Sequence, residues 1–289
     1  MRAARGKKGT VVDVGHVLTA TPLARQHEHE LATARIRRRP RIPWSAFRRG
    51  RYPEAALALA ADAQRSLAIG EYGSIDLFAW IASAMSLGGV PFDLVAASTR
   101  ILADECRHAE LCLRMASLCA GRDLTIEVDT RGFSAGKRRR ALTIDELDLL
   151  FLEVAALGET LAAALLNACR RRASDPVARA LFTSILGDEV HHARIGWYYF
   201  AWRAPQWGRA ERQRVADRAG EIIVGVEPRF WNGRDADAGA RAAADALGVL
   251  DSPTQREVVG RVMQDEIVPA LDALGLGASH AWRVRKRGG

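Results

Sequence analysis

The sequence predicts an all-α fold: a four-helix bundle with one long crossover between helices 2 and 3, followed by two C-terminal helices. Three observations lead there. The chain is rich in alanine, leucine and arginine, which favour helices, and only 7% of it is aromatic. Four long stretches after Pro53 repeat apolar residues at offsets of three, four and seven, the period of a helix buried along one side. The connections between those stretches run short, long, short.

The elements follow in order. Residues 1–50 read as a basic, partly irregular tail with Arg37, Arg38, Arg39, Pro40 and Pro43, and with a short helix around Gln26 to Arg38. The first bundle helix runs from about Pro53 to Ser86 and stops at Gly88-Gly89. The second opens with Pro91 in its first turn, has Asp93 close behind, and stops near Gly121. A loop of about twenty residues follows, with Asp123, Thr130, Gly132, Gly136 and the basic run Lys137 to Arg140. Thr143 and Glu146 form a capping-box signature at the start of the third helix, which ends near Ala173. Asp175 then caps the fourth, with Pro176 after it, and this helix ends near Pro205. Residues 51–205 thus make the bundle. Residues 206–289 form a helical extension with patterns at 209–227 and 253–274 and a basic tail.

Composition narrows the class. Apolar residues are 48% and charged residues 26%, as in an ordinary soluble globular protein. No run of eighteen apolar residues exists, so no membrane span is expected. Asp13 and His16 interrupt the apolar residues of the first twenty, which makes a poor secretory leader. Cys106, Cys112 and Cys119 fall six and seven apart on one helix and cannot bridge to one another, and with Cys169 they form no zinc-like spacing. A cytoplasmic location is expected. The net charge of +8 gathers in runs that read as solvated tails and loops, the alternative being a nucleic-acid or acidic-partner surface.

Two short strings carry the chemistry. The second helix contains Asp104-Glu105-Cys106-Arg107-His108 and the fourth contains Asp188-Glu189-Val190-His191-His192. Glutamate and histidine three apart share one helix face. Glu71 on the first helix and Glu159 on the third sit among apolar or small residues at the offsets that should turn inward. A carboxylate there is costly unless it is paired or bound to a metal. The spacing repeats: 88 residues from Glu71 to Glu159, and 84 both from Glu105 to Glu189 and from His108 to His192. Four carboxylates would balance two divalent cations, and mixed carboxylate and imidazole ligation suits iron or manganese.

Glu71 with Asp104-Glu105-x-x-His108, repeated as Glu159 with Asp188-Glu189-x-x-His192, resembles the ferritin-like di-iron oxidase and oxygenase superfamily over roughly residues 53–205. Its fold is the ferritin-like bundle, two hairpins joined by one long connection. The resemblance implies two iron ions (or a manganese–iron pair), with Glu71, Glu105 and His108 on one and Glu159, Glu189 and His192 on the other. Glu105 and Glu189 would be able to bridge. It implies that Asp104 partners His192 and Asp188 partners His108, and it places Cys112 beside the site. Where ribonucleotide reductase radical subunits have a tyrosine, this chain has Cys112; Cys106, Ala162 and Ile185 likewise depart from bacterioferritins, rubrerythrins and arylamine N-oxygenases.

The implied function is activation of O2 to hydroxylate, N-oxygenate or desaturate a small or acidic carrier-bound organic substrate. Electrons would come from a ferredoxin or a flavin reductase. A ferroxidase and a tRNA-modifying hydroxylase are the alternatives, and a monomer or homodimer is expected. Gly70, Gly73, Ala155, Ala156, Ala162 and Ala163 either leave room for oxygen and substrate or answer packing demand. Trp197, Tyr198, Tyr199, Phe200 and Trp202 read as packing, and His16, His27, His29, His191 and His280 as residues away from the ligand set.

Overall fold

The computed structural model describes residues 11–14, 41–129, 142–230 and 238–285. The expected helix at Gln26 to Arg38, the run Lys137 to Arg140, and His16, His27 and His29 lie outside them. The protein is helical, apart from a two-stranded antiparallel ribbon that pairs β1 (Val11–Val14) with β2 (Ile126–Asp129). The ribbon joins the basic N-terminal segment to the crossover loop, a pairing between distant segments that neither short sequence announces.

The long helices are α1 (Glu54–Leu87), α2 (Phe92–Ala120), α3 (Ile144–Arg172) and α4 (Pro176–Arg203). Pro91 is the N-cap of α2 rather than a residue of its first turn, and Gly121 closes the helix in the left-handed region at φ 69°. Thr143 and Glu146 make the reciprocal capping box of α3. The side chain of Asp175 accepts from the amides of Val177 and Ala178, with Pro176 as the first helical residue of α4. In α3, two α-helical stretches flank a π-helical one, Leu152–Gly158, which ends immediately before Glu159.

The first two helices pack along each other, as do α3 and α4, and α2 packs on α4. By length and composition α3 could cross a membrane, but half of its most apolar window is buried inside the fold. The C-terminal part holds more helix than the two expected patterns: α5 (Arg209–Phe230), α6 (Ala238–Ala246), α7 (252–273) and α8 (Ala278–Val284). Of these, α6 packs on α1 and α7 on α3.

The core has two apolar parts. One is built around Phe78, Ile81, Met85, Ile101, Phe151 and Tyr199, the other around Leu57, Ala68, Met115, Phe182 and Ile185. On α1, α2 and α4 the residues between these two parts include Glu71, Glu105, His108, Glu189 and His192. A polar layer therefore crosses the middle of the bundle.

Candidate metal centre

Four helices deliver six side chains to that layer. Glu105, His108, Glu189 and His192 are at most 2% exposed, while the side chains of Glu71 and Glu159 are 14% and 10% exposed. Nδ1 of His108 lies 3.0 Å from Glu189 Oε1 and 3.6 Å from Glu71 Oε2. Nδ1 of His192 lies 3.2 Å from Glu105 Oε1, 3.5 Å from Glu189 Oε2 and 3.7 Å from Glu159 Oε2. The two imidazole rings are 5.8 Å apart.

These atoms form two overlapping sets that could each hold a metal ion. Glu71, Glu105, His108 and Glu189 make one, and Glu105, Glu159, Glu189 and His192 make the other, with the ligand atoms of each set within 4.8 Å of one another. Glu105 and Glu189 belong to both.

The far nitrogen of each ring is fixed. Nε2 of His108 faces Asp188 Oδ2 at 3.2 Å, and Nε2 of His192 faces Asp104 Oδ2 at 3.3 Å. A proton on Nε2 donates to the aspartate and leaves the Nδ1 lone pair turned into the cluster, the tautomer a metal ligand needs. His108 Nδ1, His192 Nδ1, Glu105 Oε1 and Glu189 Oε1 are buried, close together, and yet not in hydrogen-bond geometry with any described group. Buried polar atoms of native proteins almost always have a partner. Acceptors aimed at common points fit cations placed among them.

Electrostatics agrees. Burial, and then the nearby Glu71, push Glu105 well above the usual carboxylate range. Burial, and then Glu189, push Glu159 up to about 8. Glu189 goes the other way: burial would raise it, but His108 and His192 hold it well below the ordinary value. Burial opposes charging of both histidines, yet Asp188, Glu189 and Glu71 raise His108, and Asp104, Glu105, Glu159 and Glu189 raise His192. Without a cation, Glu105 and Glu159 retain protons in its stead.

Cys112 is fully buried one turn beyond His108. Burial, then the negative field of Glu71 and Glu189, hold its thiol well above its ordinary range, so it faces the site as a neutral group. Cys106 is exposed, and His191 is half-buried on the flank of α4.

Other groups of the site carry no sequence signal of their own. Arg107, 5% exposed, donates to Asp188 Oδ2 at 3.3 Å and also to Ser184 Oγ, so the aspartate behind His108 has a buried countercharge. Ala155 and Ala156 are sealed under α4: a Cβ on Gly196 would come within 2.5 Å of their backbone. For these two alanines packing demand is the answer. In the aromatic stretch, Tyr199 and Phe200 are fully buried, and Tyr199 donates to Asp148 at 2.6 Å.

No protein family, no curated protein and no solved structure matches the chain. The class of protein is therefore set by the fold and the site: a helical protein whose buried glutamate and histidine side chains could hold metal ions.

Proposed function

We propose that the protein is a ferritin-like non-haem di-iron oxidoreductase that uses O2 to oxidise an organic substrate. The observation that carries this reading is the pair of overlapping ligand sets sharing Glu105 and Glu189. Shared carboxylates are what two adjacent cations require, and four carboxylates match the charge of two ferrous ions. Carboxylate and imidazole donors suit iron, or manganese with iron, better than zinc.

Bound iron would supply the redox chemistry of oxygen reduction. The chain's own contribution is defined residue by residue. Glu71, Glu105 and His108 would hold one ion and Glu159, Glu189 and His192 the other. Asp188 and Asp104 orient the imidazoles through Nε2. The apolar residues on either side of the polar layer limit access of water, and of the six side chains those of Glu71 and Glu159 are the least buried, at 14% and 10% exposed. The hydroxylated, N-oxygenated or desaturated substrate would be a small or carrier-bound organic molecule. The electron donor would be a ferredoxin or flavin reductase.

The test is metal analysis after anaerobic purification, followed by oxygen uptake with a chemical reductant. About two irons per chain and oxygen consumption that depends on them support the reading. A chain that stays metal-free in saturating ferrous iron would refute it. Assembly into a large hollow particle that accumulates iron would replace it with the ferroxidase reading.

A further inference from the structure

The π-helical stretch of α3 ends at Leu157 and Gly158, and the next residue is Glu159. There the amide of Glu159 donates to Val154 O, five residues back, before ordinary α-helical spacing resumes. A step from one spacing to the other leaves a carbonyl short of its helical donor, and it rotates the residues beyond it relative to those before. The direction in which Glu159 projects is therefore set by where this step falls.

Two side-chain hydrogen bonds and one close backbone approach converge on the step. The Thr160 hydroxyl donates to Ala156 O at 2.5 Å, inside the π stretch. Nε1 of Trp197, one helix away, donates to the same Thr160 hydroxyl at 3.1 Å. Gly196, next to Trp197, presents bare backbone to Ala155 and Ala156, where any Cβ would collide. Threonine bonding four residues back is common in helices. What differs here is that the hydroxyl is buried and is also an acceptor for an indole on another helix. Trp197 is only half-buried and lines, with Thr160, an open groove of about 760 Å³ between α3, α4 and α7. Water in that groove could satisfy the indole, so burial does not force it onto Thr160.

We infer that Thr160 and Trp197 are positioning residues for Glu159. The relay from Trp197 Nε1–H to the Thr160 hydroxyl, and from that hydroxyl to Ala156 O, holds the π step in place and with it the carboxylate that completes the second ligand set. Glu71 has no such device, since it lies within a continuous α-helix. The relay therefore acts on one metal position and not on the other. This rests on the metal-binding reading above only for its consequence, because the relay itself belongs to the metal-free chain.

The test uses the full chain with Thr160→Val, Thr160→Ser and Trp197→Phe, in two measurements. In the metal-free protein, amide hydrogen exchange over residues 152–160 speeds up in Thr160→Val and Trp197→Phe and returns towards wild type in Thr160→Ser. In anaerobic titrations with manganous ion, the valine and phenylalanine variants bind the second ion roughly 10–100-fold more weakly, the range for partners that orient ligands, with the first ion unchanged. Unchanged exchange in Thr160→Val, a serine variant as impaired as valine, or equal weakening of both ions would overturn the relay. Wild type that binds no ion at all would sink the di-iron proposal, while the exchange experiment would still decide the relay.

Discussion

Arg107 reaches Asp188 at 3.3 Å inside the bundle, so the aspartate that faces His108 lies against a buried guanidinium. Its counterpart Asp104, which faces His192, has a side chain 14% exposed to solvent. The two halves of the site repeat in sequence but differ in what stands behind each imidazole.

Asp188→Asn and Asp104→Asn should therefore diverge in stability. The first takes away a carboxylate that faces a buried guanidinium, and breaking such a buried pair typically costs about 3–5 kcal/mol. Asp104 is 14% exposed, so solvent partly compensates the second change and a smaller loss than the first is expected. Both should weaken metal binding by roughly 10–100-fold, because each releases an imidazole from its tautomer. Chemical denaturation and metal titration of the two variants check this, and equal stability losses would contradict it.

Gly196→Ala should be far more damaging than an alanine in a helix normally is. Alanine favours helices over glycine by about 1 kcal/mol. Here the added Cβ would sit 2.5 Å from the backbone of Ala155 and Ala156, so α3 and α4 must separate. A net loss of about 1–3 kcal/mol is expected from such overpacking, together with weaker binding of the ion held by Glu159 and His192. Thermal melts and metal titration read both effects, and a stabilised variant would show that the helices part freely.

The contrast between these two sites explains what was legible in the sequence. The capping residues Thr143, Glu146 and Asp175 act on amides two or three positions away, so local rules find them. Glu105 with His108 and Glu189 with His192 were visible because three residues apart on a helix means one face. Arg107 sits inside the first string, but its partners Asp188 and Ser184 are on α4, and only folding brings them near. The π stretch was invisible for the same reason, since Gly196 and Trp197 that pack on it come from another helix. The ribbon of β1 and β2 and the short helices α6 and α8 were missed because each is too short for periodicity to register.

Stability of the metal-free protein should fall as pH rises from about 4.5 to about 8. Glu159 titrates near 8 when folded, against an ordinary value of 4.5, so the folded state holds a proton that the unfolded state has released. His108 and His192 are raised well above their ordinary 6.5, and their contribution is present below that value and lost as pH climbs through the folded one. Glu189, held low, contributes only above its ordinary 4.5 and loses that contribution in more acidic solution. Bound cations would replace these protons, so metal should flatten the slope and its binding should release protons. Melting temperatures with chelator and with manganous ion, at several pH values, provide the check. A metal-free protein that grows more stable across this window would reverse the assignment of the protons.

The shared carboxylates give the sharpest test of the ligand geometry. Glu71 and His108 belong to one ligand set only, and Glu159 and His192 to the other only, whereas Glu105 and Glu189 belong to both. His108→Ala should therefore reduce binding from about two ions per chain to about one, and His192→Ala should do the same at the other position. Glu105→Ala and Glu189→Ala each withdraw a negative charge from both cations at once, so binding of both should weaken. Glu189 carries the larger share: it lies 3.0 Å from one imidazole and 3.5 Å from the other, and both histidines hold it ionised. Its removal takes away a carboxylate that lies within 3.5 Å of both imidazoles. Glu105→Gln and Glu189→Gln, nearly isosteric, guard against simple collapse of the fold and should show the same pattern in milder form. Anaerobic titration of the chelator-treated protein with ferrous or manganous ion reads the stoichiometry directly. Two ions bound normally after loss of Glu189, or the loss of only one ion from each of the six variants alike, would show that the carboxylates are not shared.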